Sequence, residues 1–482
     1  MYYCKYPYII YRDYPDFGYL TDNRNFGYDT ASKSGVKVGD RIVSKTGSVF
    51  YSVLTDKPQS LGDLVMQLSI IYPGVSLSEI KSDAMSFYRE LSRDGFVYEC
   101  SSLNSLIQFP TFSYQNTKPW NLKGTEEDVW EDNPQIAAWE SDYRLSRLHI
   151  EVSGLCNEHC VHCYFPDQYG RSIMTKELFL DVLEQCRACN VLNITISGGE
   201  PMINPNLQFF ISECRKNNLS INVLSNLTLL TESLLQEFKI TPLLSIQTSL
   251  YSMNGEIHDS ITNLRGSFLR TKKAIEILHK NNIPMQINCP IMKQNRDEYN
   301  EVLDWARSLN IEASRDYMIF GCIDGSGKNL KCRLDIPELE QIIRGEALAQ
   351  SGESEIGVQK QNIGPTNKSS ICPVCANSLC VSNSGDVYPC EGWQSFVLGN
   401  IRQASLATIW EKSSDIQTLR NLTYDDFPKC RSCEDRDYCS ICLIRNANES
   451  NAHDYKEVNP YFCSVARVKR RSAECYSLNK EE

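Results

Sequence analysis

The sequence predicts an α/β chain. A splayed, partial (β/α)6 barrel stands in the middle, a winged-helix-like α+β module precedes it and a cysteine-rich region follows. Three observations carry this prediction. Between residues 146 and 320, strand-like runs alternate with amphipathic helices through six repeats, and repeated βα units build a parallel sheet with right-handed crossovers. Cys156, Cys160 and Cys163 share one loop directly after the first of those strands, and nine more cysteines fall between 372 and 463. Six units are too few to close an eight-stranded barrel, so the sheet is expected to stay open.

Composition bounds the function. The chain has 482 residues, 41% hydrophobic and 23% charged, a soluble globular balance with length for about three domains. A net charge of −11 argues against nucleic-acid or anionic-membrane partners and tolerates a basic peptide. No apolar run approaches the ~20 residues of a spanning helix. The start, Met1 to Tyr6, lacks the basic-then-apolar pattern of a signal peptide. A cytoplasmic location is therefore expected, and there 21 cysteines point to metal or catalysis rather than disulfides.

Residues 1–115 predict the α+β module. Tyr2 to Tyr11, Val36–Val38 and Arg41–Val43 suggest strands, two helices follow over Ser60–Leu68 and Ser76–Leu91, and Phe96–Tyr98 closes as a strand. Ser76 and Glu79 form a capping box. Helices followed by a β-wing describe a winged helix, yet Lys81 and Arg89 are offset by Glu79, Asp83 and Glu90, so no basic recognition face results. Residues 116–145, with Pro119 and the acidic runs from Glu126 and Glu131, predict a linker. The barrel strands fall at 148–152, 193–197, 220–224, 244–249, 285–288 and 314–319. In residues 321–371, Gly321–Cys332 forms a glycine-rich loop and Pro337–Ala349 a bridging helix, with a polar linker over Ser351–Ser370. Cys322 and Asp324 are candidates to handle protons or hydrogen atoms of a substrate; the alternative is a surface loop with spare thiols. Cys186 and Cys189 are expected in the core, and His159 and His162 as exposed loop residues.

Three thiolates on one loop do not complete the usual four-thiolate set of a 4Fe-4S cluster. One iron stays open, and an open coordination position is where a small molecule binds. Working residues of parallel sheets gather at the C-terminal strand ends. Gly198-Gly199-Glu200-Pro201, Ser225-Asn226 and Ser249 end strands two, three and four, so four elements converge on one rim.

The C-x3-C-x2-C loop followed by Gly-Gly-Glu-Pro resembles the radical S-adenosylmethionine (radical SAM) superfamily across the whole middle domain. The resemblance implies that Cys156, Cys160 and Cys163 hold a 4Fe-4S cluster whose open iron chelates S-adenosylmethionine. Gly198, Gly199 and Glu200 would meet its amine, Ser225 and Asn226 its ribose, and Ser249 with Arg265 its carboxylate. Two residues depart from the pattern: His162 stands where the family often has an aromatic, and Leu227 where it often has glycine.

Residues 372–482 resemble the SPASM domain. That implies two auxiliary 4Fe-4S clusters, three clusters in all: one on Cys372, Cys375, Cys390 and Cys442, the other on Cys430, Cys433, Cys439 and Cys463. Cys380 belongs to a predicted strand of the 378–389 hairpin and either packs in the core or replaces Cys375. Paired C-x2-C units also suit structural zinc. The N-terminal module resembles the peptide-recognition modules of ribosomal-peptide maturases, which bind a leader peptide along a strand edge. Together these imply a maturase that cleaves S-adenosylmethionine reductively and abstracts hydrogen from a precursor peptide, forming thioether cross-links from cysteine sulfur to carbon. The implied partners are that peptide and an electron donor such as flavodoxin or ferredoxin. Alternatives are epimerisation, carbon–carbon cross-linking, sulfatase-type maturation or, outside enzymes, an iron–sulfur winged-helix regulator.

Overall fold

A computed structural model describes residues 1–6, 9–22, 40–101, 143–165, 172–240, 245–349 and 371–478. The strand expected at Val36–Val38, the linker over 116–145 except its last three residues, and the linker at Ser351–Ser370 lie outside these.

The N-terminal module comprises β1 (Tyr2–Lys5), β2 (Ile9–Asp13), β3 (Phe17–Asp22), β4 (Asp40–Ser44), α1 (Lys45–Ser52), β5 (Gln59–Ser60), α2 (Leu61–Ile71), α3 (Leu77–Arg93) and β6 (Val97–Cys100). The tyrosine-rich start supplies strands to two sheets, since β1 lies between β5 and β6 while β2, β3 and β4 pair in that order. Among the described residues there are three helices rather than two. Helix α1 has little apolar period to announce it; Ser44 caps it by accepting the Gly47 N–H at 3.1 Å. Gly47 is required there, because a Cβ would come within 2.9 Å of the Phe87 ring. Ser76 caps α3 by accepting the Glu79 N–H, as the sequence indicates, and the structure adds a like cap at Ser60, which accepts the Asp63 N–H.

The barrel follows as β7 (Arg147–Ser153), α4 (Lys176–Ala188), β8 (Asn193–Gly198), α5 (Leu207–Lys216), β9 (Ser220–Leu224), α6 (Glu232–Ile240), β10 (Ser245–Ser249), α7 (Gly255–Thr262), α8 (Ser267–Lys280), β11 (Met285–Pro290), α9 (Tyr299–Ser308) and β12 (Glu312–Asp316). Its six strands pair in parallel in sequence order. Leu148, Ile150 and Val152 of β7 enter the apolar core beneath the helices. By the period of two, His149 and Glu151 take the opposite, inner face.

After α10 (Ile336–Ala349) come β13 (Ser378–Val381), β14 (Asp386–Tyr388), β15 (Gly399–Asn400), α11 (Leu406–Lys412), α12 (Ser414–Arg420), α13 (Leu443–Glu449) and α14 (Pro460–Leu478). The cysteine-rich region does not stand apart. Strand β13 pairs in parallel with β7, so the hairpin extends the barrel sheet to nine strands. Its turn has Gly385 at φ 92°, in the left-handed region.

The N-terminal module docks at the opposite end of the barrel from the strand-end rim. Arg12 donates to the Val191 and Asn218 carbonyls, both just ahead of barrel strands. Asn218 in turn accepts the Tyr11 N–H at 2.8 Å and donates to the Ile9 carbonyl at 3.0 Å. Ile10, Phe17 and Tyr19 bury an apolar contact with Leu192. No helix among the described residues is long and apolar enough to cross a membrane.

Candidate active site

The loop after β7 is held from two sides. Helix α7 leaves its last carbonyls without helical partners; Thr262 O accepts the His159 N–H at 3.0 Å and Ile261 O that of Val161 at 2.9 Å. From the other side, Asn329 donates to the His162 carbonyl at 3.1 Å, while the thiols of Cys322 and Cys332 point at the carbonyls of Cys163 and Val161. Cys322 thus braces the loop from beneath, 3% exposed. Asp324 is exposed, its carboxylate accepting the Ser326 N–H. The structure does not bring these two side chains together.

The glycines after β8 work against this loop. Gly198 has φ 132°, and a Cβ on it would lie 2.1 Å from the Ser153 carbonyl. A Cβ on Gly199 would lie 2.4 Å from that of Leu155. With no side chains in the way, the Gly199 and Glu200 N–H groups donate to those carbonyls at 2.8 Å each, fastening the two strand ends together.

Glu200 is fully buried. Its carboxylate accepts the Ser225 hydroxyl at 2.8 Å and the N–H groups of Asn226 and Met202 at 2.8 and 2.9 Å. Burial still pushes its pKa up to about 7. The hydroxyl of Ser225 is thereby committed to Glu200, and it also accepts the Leu227 N–H. Asn226 bonds Asn157 and Thr228, tying the third strand end to the cysteine loop. Leu227 adopts φ 63°, in the left-handed region that favours glycine, while 1% exposed. Ser249 ends β10 and is half-buried. Arg265 is exposed on the turn between α7 and α8, where Asp259 holds the start of α8.

Three neighbours escaped the sequence reading. Glu158, inside the loop, is 6% exposed and 3.4 Å from Cys160 Sγ. Tyr251 lies over the loop, 4.0 Å from Cys160 Sγ and 3.4 Å from His162 Nε2. Asn329 is the third. No spacing marked them; only the fold gathers them. His159 is exposed as expected, but His162 is half-buried against Tyr251.

The C-terminal cysteines fall into two groups. Cys372 is electrostatically coupled to Cys375 and Cys442, and Cys390 to Cys442. Cys430, Cys433, Cys439 and Cys463 line one cavity together with Tyr424 and Asp435. The two-residue gap between Cys439 and Cys442 therefore passes from one group to the other, with Cys442 as the N-cap of α13. Cys380 lies beside His149 and Glu151 and also faces Cys390 of the first group. Among the described residues that trio alone brings three candidate donors within 4.8 Å of one another. The other cysteine sets are spread more widely, as suits a cluster of several irons rather than one ion.

Residues 150–306 match the family model described as the Radical SAM superfamily, and residues 372–434 match SPASM, an iron-sulfur cluster-binding domain. The chain carries a radical SAM domain and a SPASM domain. It is 26% identical over 358 residues to an AdoMet-dependent heme synthase of Methanosarcina barkeri, covering 68% of this chain and 96% of that one. It is 26% identical over 338 residues to a PqqA peptide cyclase of Gluconobacter oxydans, covering 67% and 93%. Its fold is similar to Streptococcus suis SuiB, crystallised with the precursor peptide SuiA, at TM-score 0.56 and 15% identity over 96% of this chain and all of that one. This radical SAM–SPASM architecture carries the expected open parallel barrel.

Proposed function

We propose that this radical SAM protein is a maturase of a ribosomally made peptide, with thioether formation from cysteine sulfur to carbon as its reaction. The observation that carries the peptide substrate is the extent of the SuiB likeness, which runs through the N-terminal module as well as the barrel and SPASM domain. The cyclase named for the PqqA peptide supports the same substrate class. The heme synthase and cyclase likenesses cover 68% and 67% of this chain alike, so the choice between them rests on the SuiB likeness over 96% of it.

In this reading Cys156, Cys160 and Cys163 hold the catalytic cluster, and the two C-terminal cysteine groups hold auxiliary clusters. When bound, cluster and S-adenosylmethionine supply a one-electron cleavage that removes a hydrogen atom from carbon. The chain's own residues bind and orient. Glu200 offers a buried carboxylate to the ammonium of the cofactor. Asn226 and Ser249 line the same rim, and the Gly198–Gly199 turn holds that rim against the cysteine loop. Cys322 positions the loop from beneath, a role its burial supports better than direct contact with substrate. The N-terminal module holds the leader by strand addition and raises the local concentration of the core peptide. Electrons arrive from a flavodoxin- or ferredoxin-type donor.

Mass spectrometry of the cognate cysteine-containing peptide after anaerobic reaction tests the chemistry. Loss of two hydrogens with one thiol blocked per event is expected. An unchanged mass in ordinary water, with a deuteron gained in heavy water, would assign epimerisation instead.

A further inference from the structure

His149, Glu151 and Cys380 meet on the inner wall of the barrel. His149 and Glu151 alternate on β7, and Cys380 sits directly across from His149 on β13. Flanking Leu148, Ile150, Leu379 and Val381 all enter the apolar core on the other face, so the three polar side chains are turned inward together. One donor atom from each lies within 4.8 Å of the other two. Cys380 is fully buried and Glu151 is 6% exposed.

The electrostatics of the trio are unbalanced. The Glu151 carboxylate accepts only an amide, Gln394 Nε2, at 2.5 and 2.6 Å. No Lys or Arg among the described residues pairs with it, and the other charged group facing it is Glu391, a second carboxylate. His149 contacts the Ser197 hydroxyl, the kind of outer partner that fixes the ring of a metal-bound histidine.

We propose that His149, Glu151 and Cys380 bind a single zinc-type divalent cation, at a site that adjoins Cys390 and shares no ligand with the three cysteine sets. A nitrogen, an oxygen and a sulfur donor suit borderline-soft Zn2+. Three protein ligands leave a fourth position for a water or substrate, the coordination of catalytic rather than structural zinc.

The test uses the full chain with its iron–sulfur clusters reconstituted anaerobically, incubated with Zn2+ and desalted. Wild type is expected to retain about one zinc per chain, and the His149→Ala and Cys380→Ser variants less than about a tenth of that, with iron and sulfide unchanged. X-ray absorption at the zinc edge should show one sulfur at about 2.3 Å and nitrogen or oxygen donors at about 2.0–2.2 Å. Should a variant lose iron as well, the near-isosteric Glu151→Gln decides, and it must release zinc while keeping iron. Wild type without zinc, variants that retain it, or a zinc shell of three or four sulfurs would each overturn the proposal.

Discussion

At the scale of single residues, Glu200 carries the clearest consequence. Its carboxyl titrates near 7 because burial outweighs three hydrogen-bond donors. An ammonium group needs the ionised form, so below that pH a proton must leave before the cofactor binds. Affinity for S-adenosylmethionine is therefore expected to fall as pH drops below 7, approaching tenfold per unit. Glu200→Gln should abolish that slope and weaken binding by ~10-fold or more, as loss of a charged hydrogen bond does; equilibrium dialysis at pH 6 and pH 8 measures both. Gly198 makes a steric prediction. A methyl group at φ 132° and 2.1 Å from the Ser153 carbonyl forces two strand ends apart, so Gly198→Ala should cost more than ~4 kcal/mol in denaturant unfolding. Leu227 shows how a departure from pattern is accommodated: the backbone keeps the left-handed turn, and burial of the side chain offsets a strain of about 1–2 kcal/mol.

At the scale of elements, helix α7 is a fixed buttress for the cysteine loop, and His258 within it makes that buttress pH-sensitive. Its Nδ1 accepts the Tyr251 N–H at 3.3 Å, and burial holds its pKa down to about 4. The unfolded chain takes up this proton near the ordinary value of 6.5, whereas the folded chain resists it. The stability from this residue is thus complete above pH 6.5 and lost as pH falls toward 4. Urea unfolding across that window should show the decline, and His258→Phe should flatten part of it. The barrel elements were legible because alternating strand and helix periods are local signals. Cys156, Glu200 and Ser249 were legible because they stand at strand ends. Helix α1 was not, since its capping serine and close-packed Gly47 matter only once Phe87 is in place. Nor was the union of β13 with β7, which joins segments more than two hundred residues apart. The half-burial of His162 likewise involves Tyr251, a distant residue that no loop motif announces.

At the scale of the whole molecule, the N-terminal module and the proposed chemistry occupy opposite ends of the barrel. Arg12 is the tether, its guanidinium buried against the Val191 and Asn218 carbonyls. Arg12→Ala leaves those acceptors unpaired and should cost about 1–3 kcal/mol. It should lower peptide modification several-fold while leaving S-adenosylmethionine cleavage without peptide unchanged, as chromatography of both products would show. The central claim is that the loop at Cys156 supports radical chemistry on S-adenosylmethionine. The most direct measurement is 5′-deoxyadenosine after anaerobic incubation of the iron-loaded protein with reductant and S-adenosylmethionine. Wild type is expected to form it and Cys156→Ala to form none. No product from the iron-loaded wild type, or equal product from the variant, would contradict it.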